Sequence, residues 1–237
     1  MKQVKSLIQV MLPDLFKSFT TFWFILLAIL IAGYIITSIF AATDVFLTTW
    51  PFFVIWLSIT IFQIVKTDFH YALKMGATRK QFAFASISIL LLLIVLGEGV
   101  QLIYINALPI VADTIGLQAV NLFTWAELFP ELSAGMVIAY DLIIAFFFGT
   151  VLFTIACIKF HFGKLPMFIL LGAIGIVMLI PTINQAVLNH IISLHYGENL
   201  LTVFFLLIPA VIGLLVSQQT LLKASLDKEK PTLDELV

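Results

Sequence analysis

The chain has 237 residues, of which 62% are hydrophobic and only 11% charged, with a mean hydropathy of +1.16 and a formal net charge of −1. A globular domain carries about 25% charged residues, and a water-soluble fold of this size has too little surface to hide so much apolar side chain. Composition therefore excludes a soluble enzyme or a nucleic-acid-binding module and predicts an all-α integral membrane protein.

Residues 1–18 are too polar to cross a bilayer, yet Val4, Leu7, Ile8, Met11 and Leu15 fall on one helical face. That pattern predicts an amphipathic helix lying in the inner membrane interface, with Lys2 and Lys5 near anionic headgroups. Six apolar runs then meet the length of roughly 20 residues that a helical span requires. They cover residues 19–42, 45–65, 82–105, 132–158, 165–183 and 200–222. The first run is too long, and starts too late, for a cleaved leader. All six are continuous rather than alternating, which excludes a membrane barrel. Only Thr43 and Asp44 separate the first two, which predicts a tight helical hairpin. Pro51 and Pro209 are expected to kink the second and sixth spans.

The basic residues orient the chain. All twelve Lys and Arg lie in four segments: Lys2, Lys5 and Lys17; Lys66, Lys74, Arg79 and Lys80; Lys159 and Lys164; and Lys223, Lys228 and Lys230. Six spans put those four segments on one side, and the other loops carry Asp44, Asp113, Glu127, Glu131 and Glu198 instead. By the positive-inside rule both termini are cytoplasmic. Residues 106–131 are expected to rest on the outer interface, and residues 184–197 to form a short outer helix. The tail, residues 223–237, carries mixed charge and is expected to be flexible beyond Pro231.

No phosphate-binding loop, serine-nucleophile elbow or zinc-binding His-Glu-x-x-His pair occurs, so no catalytic residue, cofactor or metal site is assigned to this chain. His190 and His195 are five apart, a poor spacing for one helical face. The lone Cys157 lies within an apolar run and reads as a small core residue. Gly172, Ala173 and Gly175 in the fifth span read as a close helix-packing face. Glu98 and Asp141 stand apart because each is a carboxyl inside a span. Helical rise puts both in the outer half of the bilayer, where they can approach one another. An intramembrane carboxyl is a functional candidate: either a polar lining of a substrate path, or a protonated group bonded to Gln101, Tyr104 or backbone.

The one polar, basic interruption of helix length is the cytoplasmic segment 66–81. Residues 71–75 favour a short helix, Gly76 is a natural end for it, and Thr78 can cap the helix that follows. Leu73, Gly76, Thr78, Arg79 and Phe82 match the Leu-x-x-Gly-x-Thr/Ser-Arg-x-x-Phe segment between the second and third helices of type-2 ABC exporter permeases. The chain resembles that family, with six helices per subunit, in its topology as well. The resemblance implies a coupling helix seated in a groove of a separate ATPase, with Asp68, His70, Leu73, Lys74, Met75, Gly76, Ala77, Thr78, Arg79 and Lys80 as candidate contacts. It further implies that ATP and Mg are bound by that partner, a second permease subunit, and a multi-pass place in a bacterial plasma membrane. The expected cargo is an amphipathic peptide or lipid-like molecule moving outward. The alternative is a proton- or cation-coupled secondary transporter working through Glu98 and Asp141.

Overall fold

The computed structural model describes residues 2–40, 46–117, 121–122, 133–195 and 200–224. The tight turn at Thr43 and Asp44, the acids Glu127, Glu131 and Glu198, and the tail beyond Ala224 lie outside these residues. Apart from one two-residue parallel pair, β1 (Phe46–Leu47) with β2 (Asn121–Leu122), the described regular structure is helical. Among the described residues, five helices are long and apolar enough to cross a membrane, or six if one bent pair counts as a single span.

Helix α1 runs unbroken over Lys2–Phe40, with Pro13 inside it. At 1.5 Å per residue its 39 residues span about 58 Å, well beyond a hydrocarbon core of about 30 Å. Leu7, Met11 and Leu15 are buried in the same stripe as Phe19, Trp23, Leu26, Leu30 and Tyr34. The first turns of α1 thus pack their apolar face on protein, not on headgroups as expected. The reason is the spacing, because Leu7, Met11 and Leu15 continue at every fourth residue into Phe19 and Trp23. The opposite face, with Phe24, Ile25, Ile29 and Ile36, is exposed and suited to lipid.

Helix α2 (Trp50–Gln63) begins with Pro51 in its first turn, after Thr49, whose side chain makes no capping hydrogen bond. Pro51 therefore starts the helix and does not kink it, since its missing N–H falls where none is needed. Pro209 likewise lies in the first turn of α8 (Leu207–Lys223), which follows a 3-10 segment, Leu200–Leu206. Helix α4 (Arg79–Thr114) is 36 residues long and takes in the first residues of the segment expected to rest on the outer interface. Helix α5 (Ala134–Phe162) crosses beside α8, and Thr154 Oγ1 donates to Gly213 O at 3.0 Å between them. Cys157 is fully buried there, as a core residue should be.

The fifth apolar run does not reach Ile183. Helix α6 (Lys164–Leu179) stops after 16 residues, and α7 (Pro181–His195) departs at 81°. Pro181 forces the preceding residue out of helical conformation, and Ile180 is extended at φ −68° and ψ 117°. A helix is present in the segment expected to lie outside, and it begins three residues before Asn184. No residue of α6 is buried, and a Cβ on Gly172 or Gly175 would meet nothing within 4 Å. Among the described residues these glycines are not a packing face.

Candidate functional site

The elbow between α2 and α4 is built from local rules. A π-helical turn, Ile64–Asp68, carries α2 without a break into α3 (Phe69–Lys74). Gly76 then adopts φ +85°, its N–H reaching Leu73 O at 3.0 Å while the Ala77 N–H reaches Ala72 O at 3.0 Å. These two bonds are the Schellman closure of a helix on a left-handed glycine. Thr78 is extended and completes a capping box: its Oγ1 accepts from Gln81 N at 3.2 Å, and Gln81 Oε1 accepts from Thr78 N at 2.8 Å. Leu-x-x-Gly-x-Thr thus encodes a stop, a corner and a restart within six residues.

Buried rings anchor this corner. Phe69 and Phe82 are fully buried with centroids 5.1 Å apart, and Phe69 meets Phe160 of α5 at the same distance. Burying each such ring contributes about 1.5–3 kcal/mol. The opposite surface presents Tyr71, Lys74, Met75, Gly76, Thr78 and Lys80 to the outside. Leu73 and Ala77 pack on the core. Arg79 is exposed but not pointing away from the fold, since its Nη1 donates to Leu222 O at 3.4 Å, in the last turn of α8. Asp68 and His70 are half-buried. His70 packs edge-on to Phe160 at 5.5 Å, and Asp68 lines a cavity of about 300 Å³ with Met11, Leu15 and Gln63. Asp14 of α1 is close enough for its charge to act on Asp68. Of the ten residues singled out in the sequence, Lys74, Met75, Gly76, Thr78, Arg79 and Lys80 form the outward surface, while Asp68, His70, Leu73 and Ala77 support it from within.

Two participants escaped the sequence reading. The start of α1 lies against the elbow, where Ser6, Leu7 and Val10 face Met75, Gly76 and Ala77 across a cavity of about 210 Å³. The unbroken every-fourth-residue stripe from Leu7 was the signal for it. Tyr71, 55% exposed, is the one large ring on the outward surface of α3.

The two span carboxyls lie on neighbouring helices. Glu98 on α4 and Asp141 on α5 are 3% and 2% exposed, and each lies within reach of the other's charge. Neither of the groups expected to satisfy Glu98 bonds to its Oε1. Tyr104 donates to Trp23 O at 2.9 Å, and Gln101 Oε1 accepts from Thr49 Oγ1 at 3.1 Å. Among the described residues Glu98 Oε1 and Gln101 Nε2 have no hydrogen-bond partner. A buried polar atom left so costs about 1–3 kcal/mol, which marks this cluster as a place for water, a proton or a polar ligand. Beside it Gly97 lets α2 approach, because a Cβ there would lie 2.2 Å from the ring of Phe53.

His190 Nε2 of α7 and Thr202 Oγ1 of the 3-10 segment are 2.9 Å apart. No group of three His, Cys, Asp or Glu suited to a metal ion occurs among the described residues. No protein-family model, curated protein or solved structure matches the chain.

Proposed function

We propose that this chain is the membrane-spanning permease subunit of an ATP-driven exporter of the type-2 ABC class, with six spans and both termini in the cytoplasm. The single observation that carries the reading is the elbow: a rigid corner with an aromatic anchor inside and Tyr71, Lys74, Met75 and Lys80 outside. It is joined without a break to α2 and directly to α4, so a push on it is delivered to two long helices. Described residues from each of the four basic segments lie at this end of the bundle. Arg79 touches the end of α8, α1 begins against Met75, and Lys66 shares a cavity with Lys159 and Lys164. That gathering is what an even number of spans requires, and it favours reading the bent α6–α7 pair as one span plus an outer helix.

In this scheme two ATPase subunits close on ATP and Mg beneath a permease dimer. Their movement enters at the elbow and shifts the helices as rigid bodies, changing which side of the dimer is open. The cargo is an amphipathic peptide or lipid-like molecule. The test is co-purification with candidate ABC ATPases, comparing wild type with Lys74→Glu plus Lys80→Glu. Both side chains are exposed, so the double variant should insert and fold normally yet release the ATPase and its stimulated hydrolysis. Full retention of a stimulated complex would refute the proposal.

The convergence of Glu98 and Asp141 favours a second reading, a proton- or cation-coupled carrier. Glu98→Gln with Asp141→Asn separates the two. The carrier loses transport, whereas the ATP-driven permease keeps it.

A further inference from the structure

On one flank of the elbow α1 passes the junction of α2 and α3. The polar groups lining the cavity of about 300 Å³ there are Asp14 and Ser18 of α1 and Thr60, Gln63, Asp68 and Tyr71 of the continuous α2–α3 rod. On an unbroken α-helix the face that carries Thr60 and Gln63 would next present residue 67, seven on from Thr60. The π-helical turn Ile64–Asp68 adds a residue, and Asp68 takes that place instead. Asp68 stands at the N-cap of α3, yet its carboxylate makes no capping hydrogen bond. Thr60 is 3% exposed, and its hydroxyl does not turn back to the carbonyl four residues before it, as those of Thr20, Thr21 and Thr220 do. Among the described residues it has no hydrogen-bond partner, so a buried oxygen is left facing the cavity. Ser18 Oγ accepts from Trp56 Nε1 at 3.1 Å, which fixes it in place with a lone pair to spare. Asp14 acts on Asp68 by its charge. No Lys or Arg lines the cavity, and Lys17 lines the next groove along α1.

We propose that this cavity binds one hydrated divalent cation of the oxygen-seeking kind, magnesium or calcium, held by Asp14, Asp68 and the Thr60 hydroxyl. All six polar side chains offer oxygen, and none offers sulfur or imidazole, the donor set that suits hard cations and not zinc or copper. Two carboxylates balance a charge of +2, whereas a monovalent cation leaves one of them bare. A water takes up about 30 Å³, so the cavity has room for an ion that keeps several of its waters, as magnesium does. Thr60 and Asp68 form the floor, while Asp14, Gln63 and Tyr71 are exposed at the rim and leave a way in. The bound ion ties the first turns of α1 to the end of α2. The site stands independently of the exporter reading, because it needs only that these helices pack as they do.

The experiment is isothermal titration of the purified full-length protein in a zwitterionic detergent with magnesium chloride, calcium chloride or choline chloride at matched ionic strength. Magnesium or calcium should bind at one ion per chain with a Kd of about 0.1–1 mM, and choline should neither bind nor compete. Asp68→Asn should weaken binding by about tenfold or more, since one of two charges is lost. Asp14 is exposed, so Asp14→Asn tests the site without threatening the fold and should do the same. Asp113→Asn, an equal loss of charge at the far end of α4, should leave binding intact. Thr60→Val should weaken binding severalfold while leaving the ion-free protein at least as stable, because the hydroxyl it removes is unpartnered without the ion. Absence of one-to-one binding, competition by choline, equal losses in Asp113→Asn and Asp68→Asn, or wild-type affinity in Asp14→Asn would each overturn the proposal.

Discussion

Gly97 and Gly99 lie two residues apart in α4, and the structure gives them opposite surroundings. A Cβ on Gly97 would fall 2.2, 2.5 and 2.9 Å from three carbons of the Phe53 ring, whereas one on Gly99 would meet nothing within 4 Å. The Phe53 ring cannot step aside easily, being packed between Trp23 at 5.8 Å and Trp56 at 6.1 Å. Replacing either glycine by alanine brings a similar helix-propensity gain, so the difference between Gly97→Ala and Gly99→Ala isolates the overpacking. Inserting a methyl into a filled core costs roughly 1–3 kcal/mol. Gly97→Ala should therefore be less stable than Gly99→Ala by that amount, measured by SDS unfolding in mixed micelles with tryptophan fluorescence as the reporter. In a Phe53→Leu background the gap should shrink to below about 0.5 kcal/mol, because the obstructing ring edge is gone. Equal unfolding free energies for the two alanine variants, or a gap that survives Phe53→Leu, would refute the close approach of α2 and α4.

The elbow offers three further tests. Gly76→Ala should cost about 1–2 kcal/mol through the left-handed backbone alone, since its Cβ enters open space, and Gly76→Asn should cost less. Thr78→Ala removes one half of the capping box and should cost about 1 kcal/mol, visible as faster hydrogen exchange at the first amides of α4. Phe82→Ala should destabilise by about 3–5 kcal/mol in the same unfolding assay, while Lys80→Ala should leave stability within about 0.5 kcal/mol and act only on partner binding.

Much of the elbow was legible in the sequence because its rules are local. A glycine six residues before Phe82 and a threonine three before Gln81 decide a corner whatever surrounds them, and Gly76 and Thr78 do what their spacing implies. The fourth apolar run became a helix within a few residues of its expected ends for a similar reason: a continuous apolar stretch in a membrane must satisfy its own backbone. Pro181 was equally local, and the apolar run 165–183 concealed it. Hydropathy counts proline as tolerable, while the backbone does not.

Chain-wide apolarity and the placement of twelve basic residues were enough to set the membrane class and an expected side for each loop, because transfer energies and loop charges add up residue by residue. Tertiary structure decided which faces meet. It turned Leu7, Met11 and Leu15 onto protein instead of headgroups, turned Asp68 and His70 inward, and tied Arg79 to α8. It also left Gly172 and Gly175 uncovered, and brought Glu98 and Asp141 of two different helices within reach of each other. Helical periodicity defines a face but not its neighbour, and the neighbour depends on how long helices cross, a property of the whole chain at once.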